Sequence, residues 1–426
     1  MSSEWCHVAL GDIVEFVSTK KPAKTSFIKS YISTENMLPN FGGISSASSI
    51  PKSGSVVKFE AGDILFSNIR TYFRKVWRAK FAGTCSPDVL VMRPKNTSKL
   101  DGKYLHHICR WKVFTEFSVR TSKGVKMPRG DKDALGTFLF QLPEITEQNA
   151  ISKVIDSIDE RIDHNRALAA NLEAIARRLF KSWFVDFDPV RAKAAGGKPA
   201  GLTDDIAALF PEQFVSSELF GEIPDGWNTG TLSDICKLNP ESWTAKKHPD
   251  VLRYIDLSNV KSGSIEETTL YQWEKSPSRA RRVLSSGDTI VGTVRPGNRS
   301  FALIDTDGLT CSTGFAVLRP CHRHQREYLY LAATADDEID RLAHLADGAA
   351  YPAVRPDVVT DAKVVIPNDD VLKQFSIITS PLFEQIAICH EEVLVLSSLR
   401  ECLLLLLISG KLPIEDAESV IEEAIA

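Results

Sequence analysis

The feature that most constrains this chain is an internal repeat: its two halves echo each other at an offset of 222 to 226 residues. Trp5, Leu10, Asp12 and Ile13 of WCHVALGDI return as Trp227, Leu232, Asp234 and Ile235 of WNTGTLSDI. Gly62-Asp63 of EAGDILFSNIR returns as Gly287-Asp288 of SSGDTIVGTVR, each a turn dipeptide feeding an apolar strand that ends in arginine. Thr84-Cys85-Ser86 followed by DVLVMRP returns as Thr310-Cys311-Ser312 followed by GFAVLRP, and Tyr104-Leu105 as Tyr330-Leu331. Any one pair arises by chance; several in the same order require duplication. Solenoid repeats are far shorter, roughly 20 to 50 residues, so this is a duplicated domain and not an array.

Each half ends on a strand closing in proline, FLFQLP at Pro143 and AKVVIP at Pro367, and then enters a helical pattern. After Pro143, some forty residues lack glycine and proline. Ile151, Ile155, Ile158, Ile162, Asn165, Ala169, Leu172, Ala176, Leu179 and Trp183 alternate by four and three, the seam of a coiled coil, with Asn165 as the polar position that fixes register. At about 1.5 Å per residue such a helix is roughly 60 Å long and needs a partner. Leu382, Ile386, Cys389, Val393, Leu396, Leu399 and Leu403 supply one near helical spacing, with Ser380-Pro381 expected to mark a restart or kink and Gly410 a stop. The expectation is an α+β chain: two similar mixed α/β domains in pseudo-twofold arrangement, separated by two long antiparallel coiled-coil helices. The first domain spans 1–143, the first spacer helix 144–189, a linker and strap 190–222, the second domain 223–367, and the second spacer helix with a tail 368–426. The linker reading rests on Gly196-Gly197, Pro199 and Gly201, which break regular structure, followed by a docking strap, PEQF and GEIPDGW.

Charge separates these parts. Residues 1–143 hold 22 Lys and Arg against 11 Asp and Glu, a net +11; residues 223–367 hold 17 against 19, a net −2; residues 368–426 hold 3 against 11, a net −8. A domain at +11 suits a polyanion, because every phosphate contact releases counterions. The acidic tail cannot be that surface. The chain opens MSSEWCHVALGDI without a basic start or apolar run, and its late apolar run, Leu403 to Ile408, is far below a membrane span, so a cytoplasmic location with no membrane partner is expected. The eight cysteines stand singly, which predicts reduced thiols and no zinc or redox pair.

These motifs together resemble type I restriction-modification specificity subunits: W…LGDI, a GDI strand, a TCS-type strand ending in RP, then LP with EQ and a long helix. LFKSWFVDFDP, FPEQFVSSELFGEIPDGW and LLLLLISGKL are also similar to that family, so the resemblance spans essentially the whole chain. It implies two target-recognition domains, each reading one half of a split site in double-stranded DNA. It further implies spacer helices that set the gap and bind two methyltransferase (modification) subunits, with restriction/translocase subunits as further partners in phage defence. In such an assembly adenine-N6 methylation and cleavage belong to partners that use S-adenosylmethionine, ATP and Mg. No cofactor or metal is expected in this chain, nor a catalytic residue. Half-sites on one face of a duplex sit about 34 Å apart, one helical turn, and each domain would read about three to five base pairs.

The residues themselves point the same way. No glycine-rich cofactor loop or N/D-P-P-aromatic signature is present; Asn239-Pro240-Glu241-Ser242 reads as a turn, and Gly292–Asn298 lacks the Lys-Ser/Thr of a P-loop. PDVVTDAK, with Asp357, Asp361 and Lys363, mimics a nuclease centre and sustains one alternative, a stand-alone restriction endonuclease. Its carboxylates are too close in sequence, in a turn and at the start of a strand. The other alternative is a coiled-coil scaffold without a DNA role. His106-His107 and His322/His324 lack acidic neighbours at ligand spacing and are expected on the surface or in packing. Candidate DNA contacts in the first domain are Lys20, Lys21 and Lys24, then Arg70, Arg74, Lys75 and Arg78 around Tyr72 and Phe73, and Arg120, Lys123, Lys126 and Arg129 of RTSKGVKMPRGD. In the second they are Lys246, Lys247, Arg279, Arg281, Arg282, Arg295 and Arg299. Basic and aromatic residues interleaved in this way suit phosphate contact plus contact with base edges.

Overall fold

The computed structural model describes residues 5–348 and 351–425. They form two compact units, one running up to Ile162 and resuming at Val395, the other comprising Asp163–Leu394. Two helices of 40 residues each, Ile145–Phe184 and Asp369–Ile408, contribute to both.

In the first unit, strands Val14–Val17, Val89–Pro94, Ile64–Ser67 and Val76–Arg78 make one sheet in that order, and Lys20–Pro22, Ser55–Phe59, Gly83–Cys85 and Tyr31–Ile32 another. Cys6–Ala9 pairs with Leu139–Leu142, joining the start of the domain to its last strand. The second unit has the same parts. Cys236–Leu238, Phe315–Pro320, Thr289–Gly292 and Phe301–Leu303 form one sheet, and Thr269–Gln272, Val251–Ile255, Leu309–Ser312 and Ala280–Val283 the other. Asn228–Thr231 pairs with Lys363–Ile366. Each second sheet contains one parallel pair, Tyr31–Ile32 with Gly83–Cys85 and Val251–Ile255 with Leu309–Ser312. They differ in the outer strand: Lys20–Pro22 extends the first at Ser55–Phe59, while Thr269–Gln272 extends the second at Val251–Ile255, the opposite edge.

The repeated motifs meet in space. Gly62 and Gly287 both take φ of 94°, a turn that glycine adopts without steric cost. The aspartate that follows each is buried against the arginine of the RP motif: Arg93 Nε donates to Asp63 Oδ1 at 2.6 Å, and Arg319 Nε to Asp288 Oδ1 at 2.8 Å. The same carboxylates accept from the backbone N–H of Glu60 and Ser285, closing the turns. A buried charge is tolerated because it is paired and hydrogen-bonded, so GD and RP recur together.

The seam positions of the first long helix lie inward: Ile151, Ile155, Ile158, Ile162, Asn165, Ala169, Ala176 and Trp183 are buried, and Leu172 and Leu179 partly so. On the second, Ile386, Cys389, Leu396 and Leu403 are buried and Leu382, Val393 and Leu399 half-buried. Asn165 Nδ2 donates to Glu392 Oε2 at 2.6 Å, and Trp183 packs on Phe375 with ring centroids 5.7 Å apart, so the helices run antiparallel in the second unit. Two expectations need correction. Pro381 does not restart the second helix, which begins at Asp369 and continues through it; the rung that proline removes lies at Ile377, an exposed position where water can satisfy the carbonyl. The stretch after Phe184 is not a loose linker either. Asp188–Ala194 is helical, and Phe187, Val190 and Phe210 are buried with Trp227. The strap is an antiparallel hairpin, Phe214–Ser217 with Gly221–Pro224.

Candidate nucleic-acid interface

After the strand that follows each GD turn, the backbone does something costly in both domains. Arg70 and Arg74 take φ of 50° and 54° on either side of a single 3-10 turn, Thr71–Phe73. Arg295 and Arg299 take φ of 50° and 60° around Pro296–Asn298. A bulky residue in the left-handed region costs on the order of 1 kcal/mol or more, and such strain concentrates at functional sites.

A loop faces each turn. Arg70 N–H donates to Pro128 O at 2.8 Å, and Arg295 N–H to Pro352 O at 2.7 Å. Those prolines sit in loops closed by reciprocal backbone bonds, between Lys123 and Arg129 at 2.8 and 2.9 Å and between Asp347 and Ala353 at 3.1 and 2.9 Å. The first loop exposes Val125, Lys126 and Met127, and the turn it faces exposes Tyr72 and Phe73; the second loop exposes Tyr351, over whose ring the Arg295 guanidinium lies at 4.8 Å. Residues 349–350 lie outside the described residues.

The second arginine of each turn is held by an acid. Arg74 Nη2 donates to Glu401 Oε1 at 2.7 Å and lies 4.4 Å above the Phe41 ring; Arg299 pairs with Asp336. Behind Arg74 the first domain is bound to the helices by a chain of buried charge. Arg400 Nη1 donates to Asp159 Oδ1 at 2.9 Å, Arg110 holds the same carboxylate with two nitrogens, and both arginines also flank Phe41. Next to it, Asp156 accepts from Lys103 Nζ at 2.7 Å and lies 3.1 Å from His107 Nε2. Burial pushes Asp156 up, but its hydrogen bonds to His107 and Lys103 outweigh that and bring the carboxyl to about 2. Asp159 is likewise raised by burial and pulled further the other way by Arg110 and Arg400, to well below the ordinary carboxylate range.

His107, Asp156 and Asp159 lie close enough to face one ion, yet the carboxylates already face Lys103, Arg110 and Arg400, whose charge fills that role. The expectation that the histidines lack acidic partners is corrected: Asp156 serves His107, and Asp369 Oδ1 lies 2.5 Å from His324 Nε2. Both partners come from other elements, which local spacing does not reveal.

The other candidates are dispersed. Lys20 and Lys21 are exposed on their edge strand and Lys24 on the turn after it. Lys75 Nζ donates to Thr34 O at 2.6 Å, and Arg78 is half-buried at the end of Val76–Arg78. Arg120 covers Phe117, Lys123 pairs with Asp131 and Arg129 with Asp88. Lys246 and Lys247 are exposed in a tight turn. Arg279 is exposed, and its carbonyl accepts from Thr313 N–H beside the Arg295 turn, where Thr293 N–H donates to Gly314 O. Arg281 lies 4.4 Å over Trp273, which stacks on His248, and Arg282 reaches Ser242. The loop 347–353 was missed as the counterpart of 123–129, although Gly124 and Pro128 recur as Gly348 and Pro352 at an offset of 224.

PDVVTDAK takes the place that KDALG has in the first domain. Pro356–Thr360 is a short helix like Lys132–Gly136, Asp357 pairs with Arg355 at 3.1 Å, and Lys363 is exposed on the following strand. Asn239, with φ of 46°, is a turn whose side-chain oxygen accepts from Val317 N–H at 3.0 Å.

Each domain thus carries a left-handed arginine turn hydrogen-bonded to a facing loop. Residues 2–174 match the family described as Type I restriction modification DNA specificity domain. The chain is 24% identical to the Type I restriction enzyme HindI specificity subunit of Haemophilus influenzae over 96% of this chain and 100% of that one. It is 22% identical to the MjaIX specificity subunit of Methanocaldococcus jannaschii, over 74% and 70% of the two chains. Its fold is shared with the type I restriction-modification S subunit from M. genitalium, at a TM-score of 0.53 and 13% identity over 97% of each chain. Residues 2–174 thus match a type I restriction modification DNA specificity domain, and over most of its length the chain is similar to specificity subunits of type I restriction enzymes.

Proposed function

We propose that this chain reads a bipartite site in double-stranded DNA, one half with residues 1–143 and the other with 223–367, and presents its two long helices to two methyltransferase subunits and to restriction subunits. S-adenosylmethionine, ATP and Mg would be used by those partners, in the cytoplasm; no described helix is long and apolar enough to cross a membrane. The observation that carries the reading is the duplicated turn and loop: the framework is the same in both domains while the exposed residues differ, Val125, Lys126 and Met127 in one and Tyr351 in the other. A common framework fixes the docking geometry, and different tips select different bases. The nuclease alternative loses support, because Asp357 is paired with Arg355 and Lys363 lies on the next strand.

The test is to map methylated adenines in DNA from cells expressing this chain with its neighbouring methyltransferase, against cells lacking it. A split motif present only with the chain is expected. Unchanged methylation would overturn the reading.

A further inference from the structure

We propose that within each arginine turn the two arginines have separate duties: Arg70 and Arg295 reach the DNA, while Arg74 and Arg299 lock the turn from behind. This rests on the functional reading above and adds to it the residues through which each half-site is engaged.

The geometry divides them. Arg74 and Arg299 follow their 3-10 turns, and each ends on a carboxylate, Glu401 and Asp336. Arg70 and Arg295 precede the turns, and the backbone N–H of each is bonded to the proline of the facing loop. The side chain of each first arginine therefore starts from the seam between turn and loop, two residues before the exposed Tyr72 in one domain, while in the other the Arg295 guanidinium lies 4.8 Å over the ring of the exposed Tyr351. Around it the backbone is tied down in both domains: Asn68 N–H donates to Asp88 O and Gly130 N–H to Asn68 O, as Thr293 N–H donates to Gly314 O and Val354 N–H to Thr293 O. An arginine set on a hydrogen-bonded backbone at the seam of turn and loop is a preorganised guanine or phosphate contact, since the planar guanidinium binds either with two parallel hydrogen bonds.

The left-handed backbone makes the test clean. Glycine occupies that region without strain, so Arg70→Gly and Arg295→Gly remove the side chain while the turn keeps its shape or gains stability. Each variant is co-expressed with the neighbouring methyltransferase, the host genome serving as DNA, and its thermal unfolding is measured alongside the methylation map. The expected result is a melting temperature equal to or above that of the parent, with Arg70→Gly lowering methylation roughly ten-fold or relaxing the motif in one half only, and Arg295→Gly doing so in the other half only. A split motif from the parent that both glycine variants reproduce overturns this inference and leaves the functional reading standing. No split motif from the parent overturns both.

Discussion

The two domains are fastened to the first long helix by different chemistry. In the first, helix Gly102–Arg110 meets it through charge: Lys103 and His107 face Asp156, and Arg110 faces Asp159, which Arg400 also holds. In the second, helix Arg326–Ala333 meets it through rings: Tyr328 packs on Phe180 and Phe184, which stand against Phe375, Trp183 and Trp227. Its polar contacts are fewer, Tyr330 Oη to Glu173 and Arg177 to Thr334. A charged joint demands every partner, because losing one strands another in a buried site; an aromatic joint loses area and leaves a cavity. The lesson is that duplicated domains preserved their internal GD–RP framework while the surfaces that meet the helices diverged.

The comparison can be broken at its strongest point by Trp183→Ala, which should destabilise the second unit by about 4 kcal/mol in denaturant unfolding and leave the charged joint untouched. A loss below about 1 kcal/mol would mean that the rings do not hold the joint. Asp159→Ala should cost the first unit about 3 kcal/mol, because Arg110 and Arg400 lose the carboxylate they share. Rescue by Asp159→Leu would instead show that filling the space suffices.

Acid separates the joints more gently. The Asp156 carboxyl is lowered on folding, so its contribution is present above the unfolded value and is lost as pH falls from about 4 toward 2. It amounts to about 2 kcal/mol, and Asp159 adds to the loss at still lower pH. Pepsin cleavage on acidification should therefore appear around 102–110 before 326–333; simultaneous cleavage would remove the distinction. The smallest effect is expected from Arg295→Gly, a gain of about 1 kcal/mol in the second unit from relieved backbone strain, read as a higher melting temperature.

Much of this was legible in the sequence because it is local or periodic. The 222-to-226 offset exposed the duplication, the four-three spacing picked out a seam whose members are buried, and Asn165 stood out as polar on that seam. What was not legible depends on partners far along the chain. His107 and Asp156 are 49 residues apart, and Arg74 and Glu401 are 327 apart; neither spacing carries a local signal. Pro381 read as a break because propensity ignores whether the lost bond falls on a wet face. The left-handed arginines were invisible as strain, since no residue type announces it at Arg70 or Arg299, and the loop 347–353 was hidden because its tip keeps only Gly348 and Pro352 of the first loop's composition.

The central claim is that two copies of one framework read two half-sites independently. Hydroxyl-radical footprinting of the full chain, assembled with its methyltransferase on a duplex carrying the mapped motif, tests it most directly. The account predicts two short protected blocks separated by an open gap, with Arg70→Gly clearing one block and leaving the other. One continuous block, or loss of both together, would contradict it.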